Sequence, residues 1–418
     1  MTSPDCFRVA AVVTTYFPNS HADVIATKFM RGFPTDDGLI APRTTLASLY
    51  IDQLHDRDIG LQLAREHDIP VYESIRGALT RGGDRLAVDA VLIIGEHGDY
   101  PVTAHGQEMV PRRYLFEQVC GVIEESAGAI PIFSDKHLAY RWEDAEWMYR
   151  RAAELGVPLW AASAVPLAWR SPQWEHPLDE SLDEAIAIAF HMPERYGFHG
   201  FEALQCQVER RRGGETGVAS VQTLAGQSVW DAGRAGAWSW DLADAALAAV
   251  ADGPPALDPD QVEDPLVYLV RYRDGTRGAV LMLGDSGYVS TFSYAERCGA
   301  LKTALAYDME KGPAHAIFGY LGLNIEDFFL SGRPPTPLER TYLTTGMLEA
   351  AMISRADGST AVKTPHLGIA YSARGNTPHR PGPPNSRPAV YEYPPLPEPG
   401  TTPRATTIPT QRDGTMHG

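Results

Sequence analysis

Three stretches of this sequence place metal- or proton-handling side chains directly after apolar, strand-like runs. Arg8–Val13 leads into Thr14-Thr15-Tyr16-Phe17-Pro18-Asn19-Ser20-His21. Ala90–Ile94 leads into Gly95-Glu96-His97-Gly98-Asp99-Tyr100-Pro101, and Ile130–Phe133 into Ser134-Asp135-Lys136-His137. In an open parallel sheet, ligands bind beyond the carboxyl ends of the strands, so the three loops are expected to face one crevice. Imidazoles and carboxylates there can ligate a divalent ion or carry protons. A lysine just beyond a buried strand can hold an anionic oxygen of a substrate.

The elements that must position these loops alternate. Strands are expected at Arg8–Val13, Thr45–Ile51, Pro70–Tyr72, Ala90–Ile94, Ile130–Phe133 and Val157–Ala162. Helices are expected at Asp56–His67, near Ala78, at Arg113–Glu125 and at Trp142–Leu155. Ser20-His21-Ala22-Asp23 has the form of a capping box and opens a helix through Met30. Strand–helix alternation of this kind implies a parallel sheet covered on both faces.

From about Pro166 the pattern changes. Leu182–Phe190 reads equally as strand or helix, and Phe198–Arg211 as a helix stopped by Gly213-Gly214. Ala219–Leu224, Pro265–Tyr272, Gly278–Leu283 and Tyr288–Tyr294 are separated by turn signals and form a mostly antiparallel sheet. Leu338–Ile353 is a late helix. The fold class is therefore α/β joined to α+β. Residues 1–165 form a parallel-sheet domain and 166–371 a second domain with a mostly antiparallel open sheet. Residues 372–418, dense in Pro, Thr, Gly and Arg, form a disordered tail.

The chain has 418 residues, 44% hydrophobic and 21% charged, which suits two soluble domains of roughly 100–200 residues each. Its net charge of −17 disfavours phosphate backbones and anionic lipid, so nucleic-acid and membrane partners are not expected. No apolar run approaches the ~20 residues of a membrane span. The four cysteines are scattered without a CxxC, and the N-terminus lacks a signal core, which fits a cytoplasmic protein.

Two segments carry a family resemblance. Ile132-Phe133-Ser134-Asp135-Lys136-His137-Leu138, with Glu143-Asp144-Ala145 and the run Ala152–Pro158 into the next strand, resembles the Glu-Lys-Pro segment of the glucose–fructose oxidoreductase and inositol dehydrogenase (Gfo/Idh/MocA) family. Tyr196-Gly197-Phe198-His199-Gly200-Phe201-Glu202 resembles that family's Asp-x-Gly-x-His-x-x-Asp helix start. The likeness spans roughly residues 8–370. It implies a Rossmann-like first domain, an oxidoreductase activity, and an assembly of two or four copies. It also implies a catalytic lysine at Lys136 and a catalytic histidine at His199.

The departures are as informative. The family binds NAD(P) through a Gly-x-Gly-x-x-Gly turn after its first strand, where glycines let the pyrophosphate reach the backbone. Here that turn holds Tyr16, Phe17 and Pro18, so crowding is expected to exclude the diphosphate. The proline of Glu-Lys-Pro is His137, and the first Asp of the helix motif is Arg195. Asp52 stands where a ribose-binding acid would, and is the cofactor-binding candidate should NAD(P) bind. A solvated loop aspartate is the commoner explanation.

By the resemblance, Glu96, His97, His137, His199 and Glu202 converge where a nicotinamide would lie. Glu96, His137, His199 and Glu202 are the expected metal ligands, and His97 joins Lys136 and His199 as a catalytic candidate. His199 and Glu202 are i, i+3, a usable ligand spacing, and two imidazoles with a carboxylate suit Fe(II) and oxygen chemistry. Plainer roles compete. His21 can merely start its helix, Glu202 can pair with Arg210 or Arg211, and His55, His67, His176, His315 and His379 read as surface residues.

The leading expectation is a metal-dependent, O2-using oxidoreductase acting on a small polar metabolite. A heterocycle or C-nucleoside in natural-product biosynthesis, as in an oxazinomycin-like pathway, is the substrate class that fits. The alternatives are an NAD(P)-dependent sugar or cyclitol dehydrogenase and a non-catalytic binding scaffold.

Overall fold

Continuous apolar runs with no polar face become the strands of the first sheet, because only burial on both sides can use them. The computed structural model describes residues 7–284, 287–309, 315–382 and 395–399. Among them, strands β1 (Phe7–Val13), β2 (Thr44–Ile51), β3 (Val71–Tyr72), β4 (Ala90–Ile94), β5 (Ile132–Asp135) and β6 (Leu159–Ala162) form an all-parallel sheet in the order β3-β2-β1-β4-β5-β6. This is the order of a dinucleotide-type doubly wound sheet, and its direction reverses between β1 and β4. The loops after β1, β4 and β5 therefore open on one crevice, as expected.

Helices α1 (Gly60–Glu66), α2 (Arg112–Glu125) and α3 (Trp142–Glu154) flank this sheet. The expected helix from Ser20 to Met30 takes another form. A single π-helical turn, Ala22–Ala26, passes into a short α-helix, Lys28–Arg31.

The second domain carries β7 (Trp169–Ser171), β8 (Glu184–Ala189), β9 (Val218–Ala225), β10 (Leu266–Tyr272), β11 (Arg277–Met282), β12 (Phe292–Cys298), β13 (Leu301–Asp308) and β14 (Val362–Lys363). Their order is β14-β9-β10-β11-β8-β12-β13-β7, antiparallel except for β8 beside β11. The ambiguous segment at Leu182–Phe190 resolves as β8, a central strand buried along its whole length. The domain's helices include α4 (Arg195–Val208), α5 (Ala316–Ser331) and α6 (Leu338–Ala356).

The stretch 372–382, expected to be disordered, is bonded to the body instead. Asn324 Nδ2 donates to the His379 carbonyl at 2.7 Å, Arg380 pairs with Glu175 at 2.8 Å, and the Gly382 N–H reaches Asp36 at 2.8 Å. Its polar groups find partners on α5 and the neighbouring loops, which composition alone does not reveal. Residues 383–394 and 400–418 of that expectation lie outside the described residues.

His176 also departs from its surface reading, since it is buried and bonds Glu296 at 2.8 Å. Glu202 is fully buried between α4 and α6, where Thr344 Oγ1 donates to it at 3.2 Å. Arg210 and Arg211 pair with Glu175 and Glu215 and leave Glu202 alone.

Burial lifts the Glu202 carboxyl from its ordinary 4.5 to about 7. Between those values the folded chain holds a proton that the unfolded chain has lost. The stabilisation is complete below pH 4.5 and disappears as pH rises through 7, roughly 3 kcal/mol in all. Glu202→Gln should therefore raise the melting temperature by several degrees at pH 8 and change it little at pH 4.5. Equal shifts at both pH values, measured by thermal unfolding, would contradict this protonation state.

Candidate active site

The crevice between the domains closes into a cavity of about 320 Å3. Its floor is polar: His21 from the turn after β1, Glu96 and His97 from the loop after β4, and Lys136 from the end of β5. His199 enters from α4, and Phe190, Tyr196, Phe292 and Phe318 form an apolar wall. This volume lies at the small end of ligand pockets and suits a small metabolite.

Glu96 is the hub of the floor. It is buried, and both of its oxygens are engaged, one by Lys136 Nζ in a very close ion pair and the other by Arg112 at 2.8 Å. Burial alone would raise its pKa. The charges of Lys136, His21 and Arg112 more than offset that and hold the carboxyl well below its usual range. Lys136 reaches this position with a left-handed backbone, φ 61°, a conformation that costs a side-chain-bearing residue about 1–3 kcal/mol. Asn19 and His191, also on the cavity wall, share it at φ 67° each. Such strain is held where the surroundings dictate the geometry, and it collects at functional sites.

His21 is placed by a long-range partner. Its Nδ1 lies 2.6 Å from Asp135 Oδ2, a buried carboxylate at the end of β5. Asp135 accepts, so Nδ1 carries a proton and Nε2 is the nitrogen left for another partner. His97 stands edge-on to His21, with ring centroids 5.6 Å apart. Burial, with the neighbouring His21 charge next in size, lowers its pKa to about 3, so its imidazole is neutral. Arg195 approaches His97 Nδ1 at 3.4 Å, a long contact, while pairing closely with Glu108. The ligand atoms of His21, Glu96 and His97 all lie within 4.8 Å of one another.

His199 is also kept neutral, burial being the main cause, and its Nδ1 has no hydrogen-bond partner. His137 sits behind the floor, bonded through Nε2 to Arg112 at 3.1 Å and outside the cavity lining. Among the described residues, His21, Glu96 and His97 are the only cluster of metal-ligating side chains this close. The ligand set expected from the sequence is thus not assembled. Glu96 and His199 reach the cavity, His137 is held by Arg112, and Glu202 is turned toward α6. His21, read from the sequence as a helix starter, takes their place.

The turn after β1 determines whether a dinucleotide fits. Several of its backbone N–H groups are already bonded within it. Phe17 N–H donates to Ser20 Oγ at 3.1 Å, Asn19 N–H to Asp23 Oδ2 at 2.8 Å, and Asp23 N–H to Ser20 Oγ at 3.3 Å. Pro18 has no N–H to offer. The Asp23 carboxylate thus stands against the turn, and a π-helical turn that leads into the short helix Lys28–Arg31 follows it. Tyr16, expected to obstruct this turn, points inward, packing under Gly60 and bonding Thr27 at 2.8 Å. The obstruction is Phe17, stacked on His55 at 4.3 Å and against His97 at 5.3 Å.

Asp52 accepts from Tyr50 at 3.0 Å and Tyr100 at 2.8 Å, one hydroxyl on each oxygen. Gln53 and Asp99 add two more bonds, at 3.3 and 2.8 Å, so the loop after β4 is strapped across the end of β1 to the loop after β2. The residues present do not fit a dinucleotide laid across this edge.

Replacing Glu96 by Gln would leave Lys136 and Arg112 buried without their shared counter-charge. The expected loss is about 3–5 kcal/mol of folding stability. Urea unfolding at neutral pH measures it, and a loss under 1 kcal/mol would show that the two cations are not held by Glu96.

No protein-family model matches the chain, and no curated protein matches it. Solved structures do. GenD2 from gentamicin A biosynthesis, solved in complex with NAD, superposes with a TM-score of 0.52 at 17% identity, over 87% of this chain and 97% of that one. The apo scyllo-inositol dehydrogenase of Lactobacillus casei gives 0.51 at 11% identity, over 87% and 99%. An oxidoreductase from Agrobacterium radiobacter, solved with NAD+, L-tartaric acid and magnesium, gives 0.50 at 13%, over 85% and 98%. Likeness at such identity speaks for architecture and leaves chemistry to the site. The chain has the two-domain fold of the Gfo/Idh/MocA dehydrogenases, a Rossmann-like parallel sheet joined to a mostly antiparallel open sheet.

Proposed function

We propose that this chain is an oxidoreductase acting on a small polar metabolite in the interdomain cavity, using a bound divalent metal and dioxygen in place of a dinucleotide. The observation that carries the proposal is the turn after β1, whose N–H groups are capped by Ser20 and Asp23. Electrons must then leave the substrate by another route, and the cavity floor offers imidazole and carboxylate. Those donor types favour non-haem Fe(II), which supplies a Lewis-acid seat and open positions for dioxygen.

The protein's own groups complete the site. Lys136 holds an anionic oxygen of the substrate, and His199, neutral and with Nδ1 unpaired, accepts or returns a proton. Phe190, Tyr196 and Phe292 pack against one another and offer an apolar face. A polar heterocycle or C-nucleoside matches a floor of charges beneath a wall of rings. By its likeness to the fold, the chain works as a dimer or tetramer joined through the second domain. Among the described residues no helix is long and apolar enough to cross a membrane.

A second reading, an NAD(P)-dependent sugar or cyclitol dehydrogenase, is favoured by the neighbours solved with NAD. It requires the capped turn to be dismantled and the Asp52–Tyr100 strap to open.

Metal analysis of protein purified without chelators, with a parallel NADH fluorescence titration, separates the readings. About one equivalent of iron and no NADH binding is the expected result. A low-micromolar NADH dissociation constant with no metal would overturn it in favour of the dehydrogenase. Neither ligand, in folded protein, would overturn it in favour of a scaffold.

A further inference from the structure

The metal-dependent reading leaves the ion's seat unassigned, and the inference here rests on that reading. The geometry points to a divalent metal bound by His21, Glu96 and His97, with Asp135 fixing His21 from behind and Lys136 occupying the vacant place as a removable counter-charge.

Three observations carry it. First, the three ligand atoms lie within 4.8 Å of one another. An ion with bonds of about 2.0–2.2 Å needs ligands no more than about 4.4 Å apart, so small side-chain rotations close the set. Second, the 2.6 Å bond from His21 to Asp135 is the arrangement that metal-ligating histidines use, with one nitrogen given to a carboxylate and the other left to face the ion. Third, the three donors would leave positions free. Three protein donors lie on the floor, and the side toward His199 and the aromatic wall is open space. Two imidazoles and one carboxylate with open positions match the non-haem iron pattern.

Lys136 gives the proposal a distinctive consequence. Its ammonium sits on the Glu96 oxygen that a metal would take. Metal entry must therefore move Lys136 off Glu96 and into the cavity, where it is free to meet an anionic substrate oxygen. Arg112 stays on the other oxygen and orients the carboxylate. The added positive charge on the floor selects an anionic or readily deprotonated substrate over a neutral sugar.

The test is metal affinity, read without turnover. Full-length protein is stripped with chelator and titrated with Co(II), the d–d absorption giving the dissociation constant, and circular dichroism confirms folding of each variant. His21→Gln and His97→Gln are expected to weaken Co(II) by at least 100-fold. Asp135→Asn should weaken it by about 10–100-fold. His137→Gln and Glu202→Gln should leave it within 3-fold of the parent.

Lys136→Met should tighten Co(II) by 10-fold or more, an effect that mere loosening of the site would not produce. Unchanged affinity in His21→Gln and His97→Gln would overturn this seat while leaving metal dependence intact. So would loss of affinity in His137→Gln, or weaker binding by Lys136→Met. A parent protein that binds no Co(II), Fe(II) or Zn(II) would overturn the seat together with the reading beneath it.

Discussion

The constraint on which the rest of the site depends is how the turn after β1 satisfies its own backbone. In a parallel sheet of this order, that turn is where a phosphate meets free N–H groups and a helix N-terminus. Here Ser20 and Asp23 accept the N–H groups of Phe17, Asn19 and Asp23, and the helix that follows opens as a π-turn before continuing through Lys28–Arg31. A turn that caps itself has no need of an anion, and the carboxylate of Asp23 repels one. Once the phosphate seat is gone, the crevice can be rebuilt. Phe17 stacks on His55, and Tyr100 and Asp99 lash the loop after β4 across to Asp52 and Gln53. The long groove of a dinucleotide fold becomes a short, partly open chamber.

That chamber is electrostatically organised around one buried carboxylate. Glu96 is charged because Lys136 and Arg112 stand against it, and the imidazoles of His97 and His199 are kept neutral by burial with positive charge nearby. Neutral imidazole and ionised carboxylate are the protonation states that a divalent ion requires. The left-handed backbone at Asn19, Lys136 and His191 shows that local preference has yielded to the geometry of the chamber. Rigid elements carry the parts. β1, β4 and β5 deliver the floor, α4 delivers His199, and the two sheets set the distance between them.

Much of this frame is legible in the sequence, for a physical reason. Runs such as Ala90–Ile94 are apolar at every position, and only a strand buried on both faces uses such a run. Where that logic does not apply, reading fails. α5 is buried on nearly every face and carries two glycines, so it has no amphipathic period to mark it. β13 is exposed at one end and buried at the other, without a clean alternation.

The candidate site follows the same division. The loops after β1, β4 and β5 are legible as one crevice, and with them Glu96, His97, Lys136 and His199. The role of His21 is not, because its partner Asp135 is 114 residues away and nothing local announces it. Glu202 misleads in the opposite way. Its spacing from His199 is right for a ligand pair, yet one turn further along α4 the helix has left the cavity and met Thr344 on α6. Spacing along a helix fixes a face, and only tertiary packing decides what that face meets.

The central claim is structural, and a crystal structure grown with millimolar NADH and Fe(II) under anaerobic conditions tests it most directly. The account predicts that the Phe17–Ser20 and Asn19–Asp23 bonds stay intact, with no dinucleotide over them and an anomalous iron peak among His21, Glu96 and His97. Pyrophosphate density seated on the turn after β1, with those bonds broken and no iron beneath, would contradict it.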